Sequence, residues 1–271
     1  MEKEYVVGVD IGGQSTKIGV VDRRGNIVCQ TVITSKYEAD QGDIFLKSIS
    51  DTILKLTEEV GVESIYGVGI GAPNGNYYRG TIEDAANLPW CKGKVVYLAD
   101  TISSKLNGIP VTVTNDANAA AVGEMTYGAA RGMKNFIMIT LGTGVGSGII
   151  VNGELVYGHD GFAGELGHTC CVRENGRVCG CGKKGCLEAY TSAIGVARTA
   201  REWLEFSKEP SLLRNIEEIT SKDVYEAALE GDKIAIEVFN YTGKKLGEKF
   251  ADFVSFSAPE AIVLFGGLAR A

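Results

Sequence analysis

Histidine is scarce in this chain, with two in 271 residues, and basic residues are outnumbered, 27 lysines and arginines against 34 acids for a net charge of −7. The two histidines are His159 and His168. Glu165-Leu-Gly-His168 therefore matches only half of a two-histidine zinc-protease helix, because no second histidine follows it. The acidic balance excludes the broad basic face that a nucleic-acid partner requires to neutralise phosphates. No segment approaches the run of about 20 apolar residues that spans a bilayer as a helix, so no membrane role is expected. The start, Met1 to Tyr5, is charged and lacks the apolar stretch of a secretory signal, which predicts a cytoplasmic protein.

What the chain does hold is enough apolar material, 45% hydrophobic against 23% charged, to bury one large core or two modest ones. Seven cysteines are present. That odd number, with five crowded between Cys170 and Cys186, fits metal ligation in a reducing compartment better than a disulfide framework. His168, Cys179, Cys181 and Cys186 read H-x10-C-x-C-x4-C, and Gly180, Gly182 and Gly185 free the loop to wrap an ion. Three thiolates and one imidazole make a closed tetrahedral zinc site. With no coordination position left for water, that zinc is expected to be structural. Cys170 and Cys171 lie outside this set.

The opening segment predicts a strand, Tyr5 to Asp10, a glycine turn and a second strand, Lys17 to Val21. Ile49, Ile53, Leu56 and Val60 share one helical face, and a strand follows at Ile65 to Ile70. Gly71 to Lys94 is rich in turn residues and reads as a loop with short strands. Val111 to Thr114 predicts a strand that ends at Asn115 and Asp116, before an alanine-rich helix, Ala117 to Ala130. Phe136 to Leu141 leads into Gly142-Thr143-Gly144-Val145-Gly146-Ser147-Gly148, after which Ile149 to Val151 meets an Asn152-Gly153 hairpin turn. Leu187 to Phe206 and Ser221 to Phe256 read as helical, and Ala261 to Phe265 as a strand that runs into Gly266-Gly267. Leu268 to Ala271 reads as the first turn of a helix, from which a truncated C-terminal segment is expected.

Asp10-Ile11-Gly12-Gly13 and Thr140-Leu141-Gly142-Thr143 share a pattern, which suggests two related halves. Neither turn has the lysine of a P-loop or the G-x-G-x-x-G spacing of a dinucleotide fold. Each alone is compatible with a plain hairpin. Three such strand ends, those at Gly12-Gly13, Gly142-Thr143-Gly144 and Gly266-Gly267, can surround one nucleotide through backbone N–H groups. Asp10 would then hold Mg²⁺ through water, and Lys17 would either neutralise phosphate or stay solvated.

Asn115-Asp116 at a helix start reads as an N-cap or as a carboxylate base for a hydroxyl that attacks phosphorus. Together with Asn87-Leu-Pro-Trp90, Asn115-Asp-Ala-Asn-Ala-Ala-Ala121, Leu141-Gly-Thr-Gly-Val-Gly146, Gly164-Glu-Leu-Gly-His168 and Cys179-Gly-Cys-Gly-Lys-Lys-Gly-Cys-Leu-Glu188, these segments resemble the ROK family of bacterial sugar kinases and sugar-responsive repressors, with glucokinases the nearest match. The resemblance implies an α/β, two-lobed actin-like (ribonuclease H-like) fold. It divides the chain into lobes at residues 1–114 and 115–271 and implies a cycle that uses ATP and Mg²⁺. It makes Asp116 the base, and Asn87, Asn115, Glu165, His168 and Glu188 the residues that hold the sugar, with His168 doubling as zinc ligand. Glucose is the implied sugar, with N-acetylmannosamine, N-acetylglucosamine, fructose, allose or a purely sensory role as alternatives. A homodimer or homotetramer is also implied. Gln14 departs from the family's threonine in the first turn, so a hydroxyl there would come from Ser15 or Thr16. The family's repressors carry an N-terminal helix-turn-helix, for which the first strand, beginning within about five residues of Met1, leaves no room.

Overall fold

A computed structural model describes residues 4–271 of the chain, and Met1–Lys3 at the charged start lie outside the described residues. The chain divides into two compact units, residues 1–128 with 157–163, and residues 129–156 with 164–271. The division thus falls after the alanine-rich helix rather than before it.

The first unit is built on β1 (Tyr5–Ile11), β2 (Ser15–Asp22) and β3 (Ile27–Thr34), then α1 (Gly42–Thr57), β4 (Ile65–Ala72), β5 (Gly75–Asn76), β6 (Thr81–Glu83) and β7 (Val95–Val96), followed by α2 (Leu98–Lys105), β8 (Val111–Asn115) and α3 (Asp116–Tyr127). Its main sheet has the order β3-β2-β1-β4-β8. β1 pairs antiparallel with β2 and parallel with β4, and β8 is parallel to β4. Val7, Val9 and Ile11 alternate with exposed residues along β1, and they share a core with Ile18, Ile49, Ile53 and Ile102. Each such side chain contributes about 1.5–3 kcal/mol on burial. This core fixes where the strands end.

The second unit comprises β9 (Phe136–Leu141), β10 (Val145–Val151) and β11 (Glu154–Leu155), then α4 (Glu188–Thr191), α5 (Ala193–Phe206), α6 (Ser221–Leu229), α7 (Lys233–Ser257) and β12 (Ala261–Phe265). Its sheet has the order β11-β10-β9-β12, with β9 antiparallel to β10 and parallel to β12. An antiparallel hairpin followed by a parallel third strand is also the arrangement of β2, β1 and β4. The repeated glycine pattern in the sequence therefore marks a repeated topology, the ribonuclease H-like plan of actin-like sugar kinases.

Several elements depart from the sequence reading. β3 was not expected, because this edge strand has only half-buried and exposed residues and hence no clear apolar alternation. α2 is short and threonine- and serine-containing, and only Leu98 and Ile102 are buried. β10 starts at Val145 rather than Ile149, so Gly146 and Gly148 lie within a strand, paired with Thr140 and Met138. Backbone pairing with β9 there overrides the poor strand propensity of glycine. The helical stretch after Leu187 is broken by Ser192, whose hydroxyl accepts the Gly195 N–H and caps α5. The long stretch after Ser221 breaks at Asp232, which caps α7 through the Ala235 N–H.

Candidate functional site

In the first unit the register aligns Asp10 of β1, Gly71 of β4 and Thr114 of β8 in one row across three parallel strands. Ligands of open α/β sheets gather at such carboxyl ends. Asp10 is exposed, and Lys17, its partner across the hairpin, stands 4.0 Å away. A pair this open to water contributes under about 1 kcal/mol. In the turn beyond, the Gly12 N–H donates to Ser15 O at 3.0 Å. A Cβ on Gly13 would come 3.1 Å from the carbonyl of Asn87. Glycine at 13 therefore lets Asn87 approach the turn. Leu88 and Trp90 are buried at 0% and 1% exposure, Trp90 packing on Phe45, and these two anchors hold Asn87 outward at the surface. Of the two hydroxyls considered for the turn, that of Thr16 is fully buried on Ser35 at 2.7 Å. Only Ser15 remains available.

Asp116 opens α3, one residue after the cap. Asn115 Oδ1 accepts the Ala117 N–H at 2.8 Å, and Asp116 Oδ1 accepts the same N–H at 2.8 Å. A Cβ on Gly71 would lie 3.5 Å from Asp116 Cα and 3.1 Å from Ala119 Cβ, so the bare backbone of β4 is what lets α3 start against the sheet. Asp116 keeps an open face to solvent, yet protein crowds it on its other sides. This crowding pushes its pKa above the usual aspartate value. The Ala117 N–H opposes the rise, and the negative charge of Asp10 adds to it.

The same unit includes the segment 157–163. Buried Asn76 donates to Asp160 O at 2.8 Å, and the Tyr78 hydroxyl donates to Gly158 O at 2.9 Å. Tyr157 stacks on Tyr77 with ring centroids 4.0 Å apart. Neither Asn76 nor these tyrosines stood out in the sequence, because the partners lie about 80 positions apart.

In the second unit the turn after β9 is closed by the Gly142 N–H donating to Gly144 O at 3.0 Å, and the Ala193 N–H at the start of α5 donates to Gly142 O at 2.8 Å. Gly266 has φ +106°, and a Cβ there would come 2.3 Å from Leu141 O. Two glycine turns, Gly142-Thr143-Gly144 and Gly266-Gly267, are thereby brought together at the ends of the parallel strands β9 and β12. The Val145 N–H donates to Glu188 Oε2 at 2.9 Å. A Cβ on Gly144 would stand 2.6 Å from that oxygen.

On the other side of β10 the Ser147 hydroxyl donates to Gly164 O and accepts the Leu166 N–H at 3.1 Å. These bonds tie the Glu165-to-His168 turn to the strand. His168 Nε2 lies 3.8 Å from Glu165 Oε2, while Nδ1 faces Cys179 Sγ at 3.6 Å. One ring edge therefore meets the thiols and the other meets a carboxylate.

The ligand atoms of His168, Cys179, Cys181 and Cys186 all lie within 4.8 Å of one another. Tetrahedral zinc, with sulfur at about 2.3 Å and nitrogen at about 2.0–2.1 Å, sets sulfur pairs about 3.8 Å apart and sulfur–nitrogen pairs about 3.6 Å apart. The Cys181–Cys186 sulfurs are 3.7 Å apart and Cys179 is 3.6 Å from the imidazole. The residues fit zinc. Burial pushes the Cys179 thiol far up. Burial also opposes ionisation of Cys181, but the Lys183 N–H and the neighbouring thiols outweigh it and lower its pKa. Protons are thus crowded among sulfurs that a cation would satisfy.

Arg177, absent from the sequence expectations, braces this loop. Its N–H donates to the Tyr190 hydroxyl at 2.8 Å, Nη1 to Ala189 O at 3.0 Å and Nη2 to Glu202 Oε2 at 2.5 Å, with the guanidinium over the Tyr190 ring. Burial would raise the pKa of Glu202, but Arg177 and Arg198 hold it below the usual glutamate range. The knuckle and α4, where Glu188 sits, are fixed to each other through these bonds.

Comparisons with known proteins agree with this architecture. The model of the ROK family matches residues 6–271. A glucokinase of Halalkalibacterium halodurans is 38% identical over 277 aligned positions, covering all of this chain and 82% of that protein. The crystal structure of a Streptomyces griseus ROK glucokinase in complex with glucose and AMPPNP is 35% identical, with TM-score 0.76, over 98% of this chain and 84% of that one. A ROK family transcriptional regulator, a homologue of the E. coli MLC protein, is 28% identical with TM-score 0.85, over 98% of this chain and 66% of that one. The chain belongs to the ROK family.

Proposed function

We propose that the protein transfers the γ-phosphoryl group of ATP to a hydroxyl of glucose, with Asp116 as the catalytic base. The observation that carries this reading is the site of Asp116: on the first turn of α3, at the carboxyl ends of parallel strands and next in space to Gly71. The bonds it makes fix it there. Its crowded surroundings raise its proton affinity, which suits a group that must accept a proton.

In the reaction Asp116 accepts the proton of the attacking hydroxyl as that oxygen bonds to the γ-phosphorus, and the bond to ADP breaks. Asn87, Asn115, Glu165, His168 and Glu188 are assigned to the sugar hydroxyls. Backbone N–H groups of Gly12-Gly13, Gly142-Thr143-Gly144 and Gly266-Gly267 take the nucleotide, and Lys17 offsets phosphate charge. Mg²⁺ held through Asp10 would neutralise charge on the phosphates. Zinc held by His168, Cys179, Cys181 and Cys186 would fix the His168 ring, leaving Nε2 for a sugar hydroxyl, and would anchor the start of α4 at Glu188. The two units serve as the lobes of the enzyme, which works in the cytoplasm as a homodimer or homotetramer.

Support comes from the glucokinases among the relatives and from the bound glucose and AMPPNP of the Streptomyces griseus structure. A coupled assay of ADP release across glucose, mannose, fructose, allose, N-acetylglucosamine and N-acetylmannosamine tests the substrate. Glucose is expected to give the highest kcat/KM, and a clear preference for an N-acetylhexosamine would overturn that choice. The likeness to a transcriptional regulator supports a second reading, a sugar-binding module without turnover. Glucose binding with no ADP formation would favour it.

A further inference from the structure

Cys170 lies two positions past His168, is exposed, and takes no part in the four-residue ligand set. Its backbone pairs with that of Cys186, a member of the set, in an isolated antiparallel bridge. The Leu187 N–H donates to Thr169 O at 2.9 Å and the Cys171 N–H to Gly185 O at 2.8 Å. These bonds flank the pair instead of joining it. The two cysteines therefore form the narrow, non-hydrogen-bonded type of cross-strand pair, in which Cα atoms stand about 4.5 Å apart and the opposed side chains share a face. Disulfides span Cα separations of about 4.4–6.8 Å. Glycine at 185 also leaves room for the sulfur of Cys170, which would lie 3.3 Å from a Cβ built there.

We propose that Cys170 and Cys186 form a reversible disulfide on exposure to hydrogen peroxide, and that this bond takes Cys186 out of the four-residue set and releases the zinc that the set would hold. The exposed Cys170 thiol is oxidised first: it takes one oxygen from the peroxide to give the sulfenic acid, and water leaves. The Cys186 sulfur then attacks the Cys170 sulfur, the S–O bond breaks, and the hydroxyl leaves as a second water with the Cys186 proton or a solvent proton. Two thiols and one peroxide thus give one disulfide and two waters. Within the set the Cys181 and Cys186 sulfurs are also close, at 3.7 Å. Both would be held by the metal, however, whereas the Cys170 thiol lies outside it and is open to the oxidant. The inference is independent of the phosphoryl-transfer reading, because its readouts need no turnover.

Trypsin separates the relevant thiols. Cleavage after Arg173, Arg177, Lys183 and Lys184 puts Cys170 with Cys171, Cys179 with Cys181, and Cys186 by itself on three different peptides. The purified, zinc-loaded protein is treated with hydrogen peroxide, alkylated and mapped without reduction, while a chromogenic chelator follows free zinc. The expected result is a link between the Cys170 and Cys186 peptides, with loss of two hydrogens, and release of about one zinc per chain. A thiol reductant reverses the link. Cys170→Ser, an exposed and isosteric change, is expected to remove the link and slow zinc release several-fold at the same peroxide dose. A link between the Cys181 and Cys186 peptides, persistence of the link in Cys170→Ser, or equal zinc release from the two proteins would overturn the proposal.

Discussion

The Glu188 carboxylate accepts the Val145 N–H at 2.9 Å through one oxygen, and its other oxygen lies 3.4 Å from Cys179 Sγ. One side chain therefore joins the glycine turn after β9 to the cysteine loop. Gly144 is the condition for this contact, since a Cβ there would meet the same carboxylate at 2.6 Å. Gly144→Ala is expected to displace Glu188 and to cost the charge-assisted bond, about 1.5–3 kcal/mol. If Glu188 holds the sugar, KM for glucose rises roughly 10- to 150-fold on the same conversion. Steady-state kinetics across a glucose titration would measure this, and an unchanged KM would exclude the role.

Zinc should be present at about one ion per chain in the purified protein. Elemental analysis tests this directly. Cys179→Ser removes a buried ligand and is expected to lose the metal, lower Tm and weaken glucose binding through His168 and Glu188. Retention of full metal content in that variant would exclude the four-residue set.

The raised pKa of Asp116 links function to stability. A carboxylate whose folded pKa lies above its unfolded value of about 3.8 binds protons more tightly in the native state. The native state gains fully from this below the unfolded pKa and loses the gain as pH rises through the folded pKa. At pH 7 the ionised Asp116 is then a net burden. Asp116→Asn should unfold at a higher temperature than the parent at pH 7, and the difference should shrink as pH falls below 4. Thermal unfolding at several pH values measures this, and a destabilised variant at pH 7 would contradict it.

α7 is capped by Ala258, the residue after Ser257, whose φ of +44° and ψ of +56° put it in the left-handed region. A side chain is strained there, and glycine is the usual residue at such a helix end. Ala258→Gly is expected to stabilise the protein by about 1 kcal/mol, read as a higher urea midpoint with an unchanged slope. A lower midpoint would show that the strain is relieved in another way.

How legible the site was depends on the range of the contacts. The four-residue cluster that would hold zinc was legible because its three cysteines fall within eight positions and the spacing of thiols and glycines points to that chemistry. Asp116 was visible as a polar break between a β-branched run and an alanine helix. Arg177 was not, since its partners Tyr190 and Glu202 come together only when α4 and α5 pack. Gly71 read as a turn residue, and its use, to admit α3 against β4, depends on contact across 45 positions or more. Thr16 was a candidate for the phosphate turn, but strand alternation turns its hydroxyl inward onto Ser35. The sequence pattern starts β10 at Ile149 and the strand itself starts at Val145, because glycine propensity hides a segment that pairing with β9 specifies.

The proposed role of Asp116 is to drive phosphoryl transfer to glucose. It is tested most directly by ADP release with and without glucose, for the parent protein and for Asp116→Asn shown to be folded. The parent is expected to turn over ATP only when glucose is present, and the variant to fall in kcat by about 10²–10⁴-fold while still binding glucose. Glucose-dependent turnover that survives in the variant would contradict the account.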